Sequence, residues 1–246
     1  MVNHYVKKGA DTANALVCAR GLTKAYGSHK VLHGATFDIY ERDIVGVVGL
    51  NGGGKSTLLK ILAVVLSPDS GEGWSGGVPL GGVRSPFCGL MLEHPPFIDN
   101  FSGLENLAAL AGLRKIATRR DMESTMTDVG LDPKSRKAVK HYSQGMRQRL
   151  GLAQALMERP PLLLLDEPLN GLDPSGILDV RQLIWRAADD GATVLFSSHV
   201  LSEVQKLCTR VLVVHDGVVT ELDRERFVSA EALEEAYREV TGYAYA

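Results

Sequence analysis

One octapeptide constrains the fold of this chain more than any other feature. It is Gly49-Leu50-Asn51-Gly52-Gly53-Gly54-Lys55-Ser56, which satisfies the pattern G-x-x-x-x-G-K-[ST]. The all-apolar run 44–48 precedes it, typical of a strand buried on both faces, and an apolar helical stretch, 56–66, follows it. Backbone N–H groups of such a loop point at phosphates, and the helix N-terminus adds partial positive charge. The sequence therefore predicts an α/β fold with a nucleotide phosphate site.

Three side chains of this loop have predicted roles at the phosphates. Lys55 would reach the β- and γ-phosphates, the Ser56 hydroxyl would bind Mg²⁺, and Thr57 would donate to the α-phosphate. The alternative is a glycine-rich turn with a solvated lysine, which does not account for the flanking strand and helix.

A second element of the site is the pair of carboxylates at Asp166 and Glu167. They follow the apolar strand Leu162 to Leu165, and α/β sheets bind ligands at the carboxyl ends of their strands. Asp166 is predicted to hold Mg²⁺ and Glu167 to take a proton from an attacking water. In isolation, paired acids after a strand are often only a helix N-cap.

The rest of the chain predicts one domain over 1–246, with strands and helices alternating in its last third, as in a parallel sheet covered by helices. A helical lobe is predicted at about 95–158; a capping box of Ser102 and Glu105 lies within it. We also expect a loose lead-in at 1–16 and a helical tail at about 223–246.

Composition excludes several classes of protein. With 27 Lys and Arg against 29 Asp and Glu the net charge is −2, so binding of nucleic acid through bulk charge is not expected.

The three cysteines, Cys18, Cys88 and Cys208, form no C-x-x-C pair, which argues against a disulfide framework or a zinc site and favours a reducing compartment. Neither a secretory signal nor a run of about 18 apolar residues occurs, so we expect no membrane span in this chain.

These motifs alone do not separate kinases, GTPases and ATPases, although no Asn-Lys-x-Asp guanine-reading sequence occurs. The stretch 142–156, YSQGMRQRLGLAQAL, resembles the signature motif of ATP-binding cassette (ABC) ATPases. Asn170-Gly171-Leu172-Asp173-Pro174 resembles the D-loop of that family, and Ser197-Ser198-His199 its switch-histidine loop. Tyr26 falls where the family stacks an aromatic ring on adenine.

The resemblance implies a P-loop NTPase (RecA-like) parallel sheet core with an antiparallel β-subdomain and an inserted helical subdomain. It also implies that ATP and Mg²⁺ are bound, that ATP is hydrolysed, and that His199 contacts the γ-phosphate. In the family, the signature residues bind the γ-phosphate on a second cassette, so Ser143, Gln144 and Gly145 would act across a dimer lined by Asp173. The simpler interpretation of Ser143, a helix N-cap, is compatible with this role.

Two residues depart from the common family pattern. Glu93 stands where most relatives carry glutamine, and Met146 ends the signature in place of glutamine. Both features resemble the branch that exports peptide antibiotics and lantibiotics, in the manner of bacitracin-type transporters. Glu93 accepts but does not donate, so it would bind Mg²⁺ at the ATP site or a positive group of a membrane partner. The alternative is an ordinary exposed surface glutamate.

The resemblance favours the ATPase subunit of an export-type transporter, at the cytoplasmic face of the membrane, with transmembrane permease subunits on separate chains and a second ABC ATPase subunit. The substrate would be an antimicrobial peptide or a drug. A soluble ATPase of the iron–sulfur assembly type stays open as the alternative. Chromosome-organising types are excluded because the segment between Lys55 and Ser143 is too short for their coiled coil. A non-catalytic regulator is disfavoured because Lys55, Asp166, Glu167 and His199 are all present.

Overall fold

A computed structural model describes residues 15–242. Most of the predicted lead-in, 1–14, and the end of the predicted tail, 243–246, lie outside the described residues. Within 15–242 the chain forms an α/β structure with two sheets, which confirms the predicted fold class.

The strands of the described residues are β1 (Ala15–Tyr26), β2 (His29–Tyr40), β3 (Ile44–Val48), β4 (Ser70–Ser75), β5 (Val78–Pro79), β6 (Cys88–Met91), β7 (Leu162–Leu165), β8 (Thr193–Ser198), β9 (Arg210–His215) and β10 (Val218–Leu222). The α-helices are α1 (Lys55–Leu62), α2 (Gly103–Arg114), α3 (Arg119–Asp128), α4 (Gln144–Leu156), α5 (Pro174–Asp189), α6 (Leu201–Leu207) and α7 (Ala230–Thr241). Short 3₁₀ helices lie at Val139–His141 and Arg224–Phe227.

The core sheet has the strand order β10-β9-β3-β8-β7-β6 and is parallel except for β10, which pairs antiparallel with β9. Every residue of β3, β7 and β8 is buried, because both faces of these strands are covered. The carboxyl ends of β3, β7 and β8 meet at one edge of the sheet. That edge carries the phosphate loop, the two acidic residues and His199.

A second, antiparallel sheet of order β2-β1-β4-β5 covers one face of the core sheet together with α1. All three leucines of α1, Leu58, Leu59 and Leu62, pack in the same hydrophobic cluster as Leu22 of β1 and Leu32 of β2. The opposite face of the core sheet packs against α5, α6 and α7 and against the inserted helices, α2, α3 and α4, which lie between β6 and β7 in the chain. The phosphate loop therefore begins a helix that is held between two sheets.

Helix boundaries agree with the sequence patterns in some places and differ in others. The capping box at Ser102 and Glu105 is present at the start of α2, as predicted. Helix α1 ends at Leu62 and not at the predicted residue 66, because Val64 adopts a left-handed conformation (φ 55°) that interrupts the helix. In α7, Leu233, Ala236 and Tyr237 are buried on one face of the helix.

The inserted helices meet the core sheet at Gly89 of β6, which α4 approaches closely. A Cβ at Gly89 would lie 2.0 Å from the carbonyl oxygen of Ala155. We expect Gly89→Ala to lower the free energy of unfolding by about 1–3 kcal/mol, since backbone must move to admit the methyl group. The control is Gly112→Ala in α2, where nothing lies within 4 Å; it should be neutral or stabilising by up to about 1 kcal/mol. Equal urea midpoints for the two variants would contradict the close contact.

Candidate active site

The phosphate loop, 49–54, joins β3 to α1 and depends on glycine at two close approaches. A Cβ at Gly49 would lie 2.2 Å from the Val214 carbonyl oxygen. Gly54 has φ 105°, and a Cβ there would lie 2.8 Å from the Val31 carbonyl oxygen. Side chains at these two positions would push the loop away from β2 and β9. Glycine thus keeps the loop against the sheet edge, with its backbone available to a ligand.

Lys55 is the first residue of α1, and its ammonium group lies inside the loop. Its Nζ donates to the carbonyl oxygens of Gly49 (2.8 Å) and Leu50 (3.2 Å) and lies 3.7 Å from Glu167 Oε1. Burial lowers the pKa of Lys55 below its usual value, and the carboxylates of Glu167, Asp166 and Glu93 oppose this shift. The structure therefore brings the loop lysine and the acidic strand end together.

A serine of the neighbouring strand positions the two acids. The Ser197 hydroxyl, at the end of β8, donates to Asp166 Oδ1 (2.7 Å) and accepts the backbone N–H of Glu167 (2.8 Å). This single side chain thus fixes a carboxylate on one residue and the backbone of the next. The sequence identified Ser197 only as part of the switch-histidine loop and missed this bridging role.

Glu167 combines a strained backbone with a carboxylate that is held on one side. Its φ is 50°, a left-handed conformation that costs a non-glycine residue on the order of 1–3 kcal/mol. The Nδ1–H of His199 donates to Oε2 (3.0 Å), whereas among the residues the structure describes Oε1 has no hydrogen-bond partner. Oε1 is therefore the oxygen available to accept a proton.

Two further predicted ATP ligands lie on other elements. Tyr26 is the last residue of β1, with its side chain about half exposed at 51%. Glu93 follows β6, next to β7 in the sheet, and its charge acts on Lys55. Their roles, and those of Ser56 and Thr57 in the first turn of α1, stay predictions.

The signature residues lie at the N-terminus of α4, in the inserted helices. Ser143 is the N-cap: its Oγ accepts the backbone N–H of Met146 (3.2 Å). Ser143 and Gln144 are exposed, whereas Lys55 and Glu167 are buried. Asp173 caps α5 in the same way, and the backbone N–H of Gly176 lowers the pKa of its carboxyl below the usual value. Their role in dimer contacts stays a prediction.

Sequence reasoning also missed Gln148, one and a half turns into α4. Its amide Nε2 donates to the carbonyl oxygen of Glu167 at 2.6 Å, and its side chain is buried. A signal was present, because Gln148 shares a helical face with Leu152 and Ala155, both buried. A polar side chain on an apolar stripe needs a hydrogen-bond partner.

Comparison with known proteins matches residues 32–170 to the family model described as "ABC transporter". The chain is 38% identical over 216 residues to the uncharacterised ABC transporter ATP-binding protein YdbJ of Bacillus subtilis, covering 84% of this chain and 68% of YdbJ. It is 38% identical to the bacitracin transport ATP-binding protein BcrA of Enterococcus faecalis, covering 81% of this chain and 66% of BcrA. It is 35% identical to the lantibiotic transport ATP-binding protein SrtF of Streptococcus pyogenes, covering 89% and 94%. The chain thus spans about two thirds of the first two relatives.

Solved structures show the same fold. The "ATP binding subunit of ABC transporter" superposes with a TM-score of 0.78 at 24% identity, over 94% of this chain and 95% of that one. A dimeric, post-hydrolysis structure of the ATP-binding cassette MJ0796, bound to ADP and Pi, gives 0.78 at 23% identity, over 84% of this chain and 98% of that one.

Proposed function

Because the chain belongs to the ABC transporter family of ATP-binding proteins, we propose that it hydrolyses ATP to power export through separate transmembrane permease subunits. The observation that carries the proposal is the cluster of Lys55, Asp166, Glu167 and His199 at one sheet edge. The iron–sulfur assembly alternative finds no support in the comparisons, in which the relatives with a named role are bacitracin and lantibiotic transport ATP-binding proteins.

The geometry supports hydrolysis by proton abstraction from water. The backbone N–H groups of the loop would bind the β- and γ-phosphates. Lys55 Nζ would bind them too, exchanging its present contacts with the carbonyl oxygens of Gly49 and Leu50 for contacts with phosphate oxygens. Glu167 would take a proton at Oε1 from the water that attacks the γ-phosphorus, while His199 keeps Oε2 fixed. The bond to the leaving β-phosphate oxygen breaks as the bond to water forms.

Mg²⁺ fits the oxygen donors at this edge. The Ser56 hydroxyl and the Asp166 carboxylate are the predicted ligands, and Glu93 is a third. Asp166 Oδ1 already accepts from Ser197, which fixes the carboxylate and leaves Oδ2 for a cation. When bound, the ion would offset the charge that develops on the phosphate oxygens.

A second ATPase subunit is part of the proposal. Ser143, Gln144 and Gly145 offer a hydroxyl and a helix N-terminus on the exposed side of α4, with Asp173 at the start of α5. A hydroxyl and a helix N-terminus can bind a phosphate, but these signature residues include no lysine like Lys55 and so do not form a complete ATP site by themselves. The γ-phosphate would come from ATP on the partner subunit, in a head-to-tail dimer.

The permease contact is proposed at a mostly apolar groove of about 310 Å³ between β6 and the inserted helices α2 and α4. Leu92, Pro95, Leu110 and Leu113 line it, and Leu113 is 80% exposed. Within 15–242 no helix is long and apolar enough to span a bilayer. We propose that a cytoplasmic segment of the permease binds in this groove, at the cytoplasmic face of the membrane. By analogy with BcrA and SrtF, we propose that the exported substrate is an antimicrobial peptide or a drug.

The experiment that tests the proposal is photo-crosslinking in native membranes. A photoreactive residue at Leu113 should capture a membrane subunit, whereas one at Val218, exposed on the opposite edge strand β10, should not. Co-purification with a cytosolic iron–sulfur scaffold, and no membrane subunit, would instead favour the alternative.

Glu93 is expected to affect coupling more than chemistry. It connects β6 to Pro95 and Pro96, whose restricted φ favours an extended segment leading into the inserted helices. Glu93→Gln should keep most basal ATP hydrolysis, because Glu167 and His199 are untouched and the glutamine side chain still offers a carbonyl oxygen to Mg²⁺. Glu93→Ala should lose substrate export out of proportion to hydrolysis, measured in the same reconstituted vesicles. Proportionate losses of both activities would give Glu93 a catalytic or structural role, and no loss of either would make it a surface glutamate.

A further inference from the structure

A direct link runs from the signature helix α4 to the backbone of Glu167 in the same chain. The Gln148 amide donates to the Glu167 carbonyl oxygen at 2.6 Å, and both side chains are buried. The backbone N–H of Asn170 donates to the same oxygen at 3.1 Å. One donor therefore comes from the local turn and the other from the inserted helices.

The backbone at this point needs such support. Glu167 holds φ 50°, and a residue in that conformation persists only where its surroundings fix it. Ser197 accepts the N–H on one side of Glu167, and Gln148 binds the carbonyl on the other. The peptide groups that flank the carboxylate are thus held from two directions, one of them by α4.

Gln148 lies beside a cavity, so its side chain bridges an open part of the interface between α4 and Glu167. A cavity of about 290 Å³ lies there, lined by Gln148 together with Glu93, His94, Gln144, Arg147 and Asn170. Because the cavity separates this end of α4 from its surroundings, the amide of Gln148 is the contact through which a shift of this end of α4 would act on Glu167.

We propose that Gln148 is a positioning residue for Glu167. Its amide holds the backbone of this general base in the left-handed conformation, so the position of the signature helix α4 determines where Glu167 Oε1 lies relative to the attacking water. The inference rests on the proposed ATPase function. It adds a route within one subunit by which movement of the inserted helices controls the hydrolytic step.

Gln148→Met, of nearly the same shape but without a donor, tests the proposal in the full chain. Turnover should fall by about 10- to 100-fold, as expected when a catalytic group is displaced slightly. The KM for ATP should stay within about twofold, because the phosphate loop is unchanged. Gln148→Asn keeps an amide too short to reach the carbonyl and should show the same selective loss, which covers the case that the methionine variant does not fold.

The matched control is Gln205→Met. Gln205 also donates its amide to a peptide oxygen, that of Val228, away from the site. This variant should retain wild-type turnover. Its melting temperature shows how much stability is lost when one side-chain amide hydrogen bond of this kind is removed. If wild type and control hydrolyse no ATP, the proposed function fails; if they do and the Gln148 variants match them, only this inference fails.

A double-variant cycle separates positioning from general destabilisation. Once Glu167→Gln has removed the base, adding Gln148→Met should lower the residual rate by less than about twofold. An additive loss, or a loss that follows KM and melting temperature, would overturn the proposal.

Discussion

Replacing Glu167 with glutamine is expected to lower ATP turnover by on the order of 10²- to 10⁴-fold while ATP and Mg²⁺ still bind. The amide cannot accept the proton of the attacking water. The backbone contacts of Glu167 with Ser197 and Gln148 do not involve its carboxylate, so the loop geometry should remain. Binding is measured by equilibrium titration and turnover by phosphate release.

A stable ATP-bound dimer of Glu167→Gln should accumulate on size-exclusion chromatography, because closure proceeds and hydrolysis does not. The control is Glu203→Gln, which neutralises a buried glutamate paired with Arg181 outside the site and should keep its turnover. Hydrolysis at the wild-type rate by Glu167→Gln would remove Glu167 from the role of general base.

Lys55→Ala should abolish nucleotide binding. The variant removes the ammonium group that lies inside the phosphate loop, and charge-assisted contacts to phosphate are among the strongest available to a protein. Lys60→Ala, later in the same helix, is the matched control and should bind ATP normally. Normal ATP affinity of Lys55→Ala would contradict the predicted site.

Ser143→Arg should leave ATP binding to the monomer intact and prevent closure of the dimer. It also removes the N-cap of α4, so Ser229→Arg, which removes the N-cap of α7, measures that separate cost of about 1 kcal/mol. Mixing Ser143→Arg with Lys55→Ala gives heterodimers with one doubly altered site and one intact site. If each site acts alone, about half of the activity per heterodimer should return.

Absence of recovery has two explanations that crosslinking distinguishes. Mixed dimers that form but do not hydrolyse would mean that the two sites depend on each other. Mixed dimers that never form would contradict the head-to-tail arrangement.

The sequence predicted those parts of the fold and site that depend on local pattern. The buried strands and the phosphate loop carry their signals within a few residues, so the loop lysine and the acidic pair could be assigned to one sheet edge. The bridge from Ser197 could not be predicted, because it depends on the register between β7 and β8. The left-handed backbone of Glu167 could not be predicted either, because a glutamate rarely adopts that conformation. Gln148 was visible as a polar residue on an apolar helix face, but its partner is defined only by how α4 packs on the sheet.

The cap of α4 restricts which amino acid can stand at position 143. As an N-cap, Ser143 uses an oxygen lone pair to accept the Met146 N–H, and its hydroxyl proton remains free to donate. Asparagine and aspartate stabilise a helix start equally well. Aspartate, however, offers an arriving phosphate only negative charge, and the bulkier asparagine presents its amide in a different place. Selection for helix stability alone would accept all three, so in the proposed dimer Thr is the one substitution at this position that should preserve both capping and assembly.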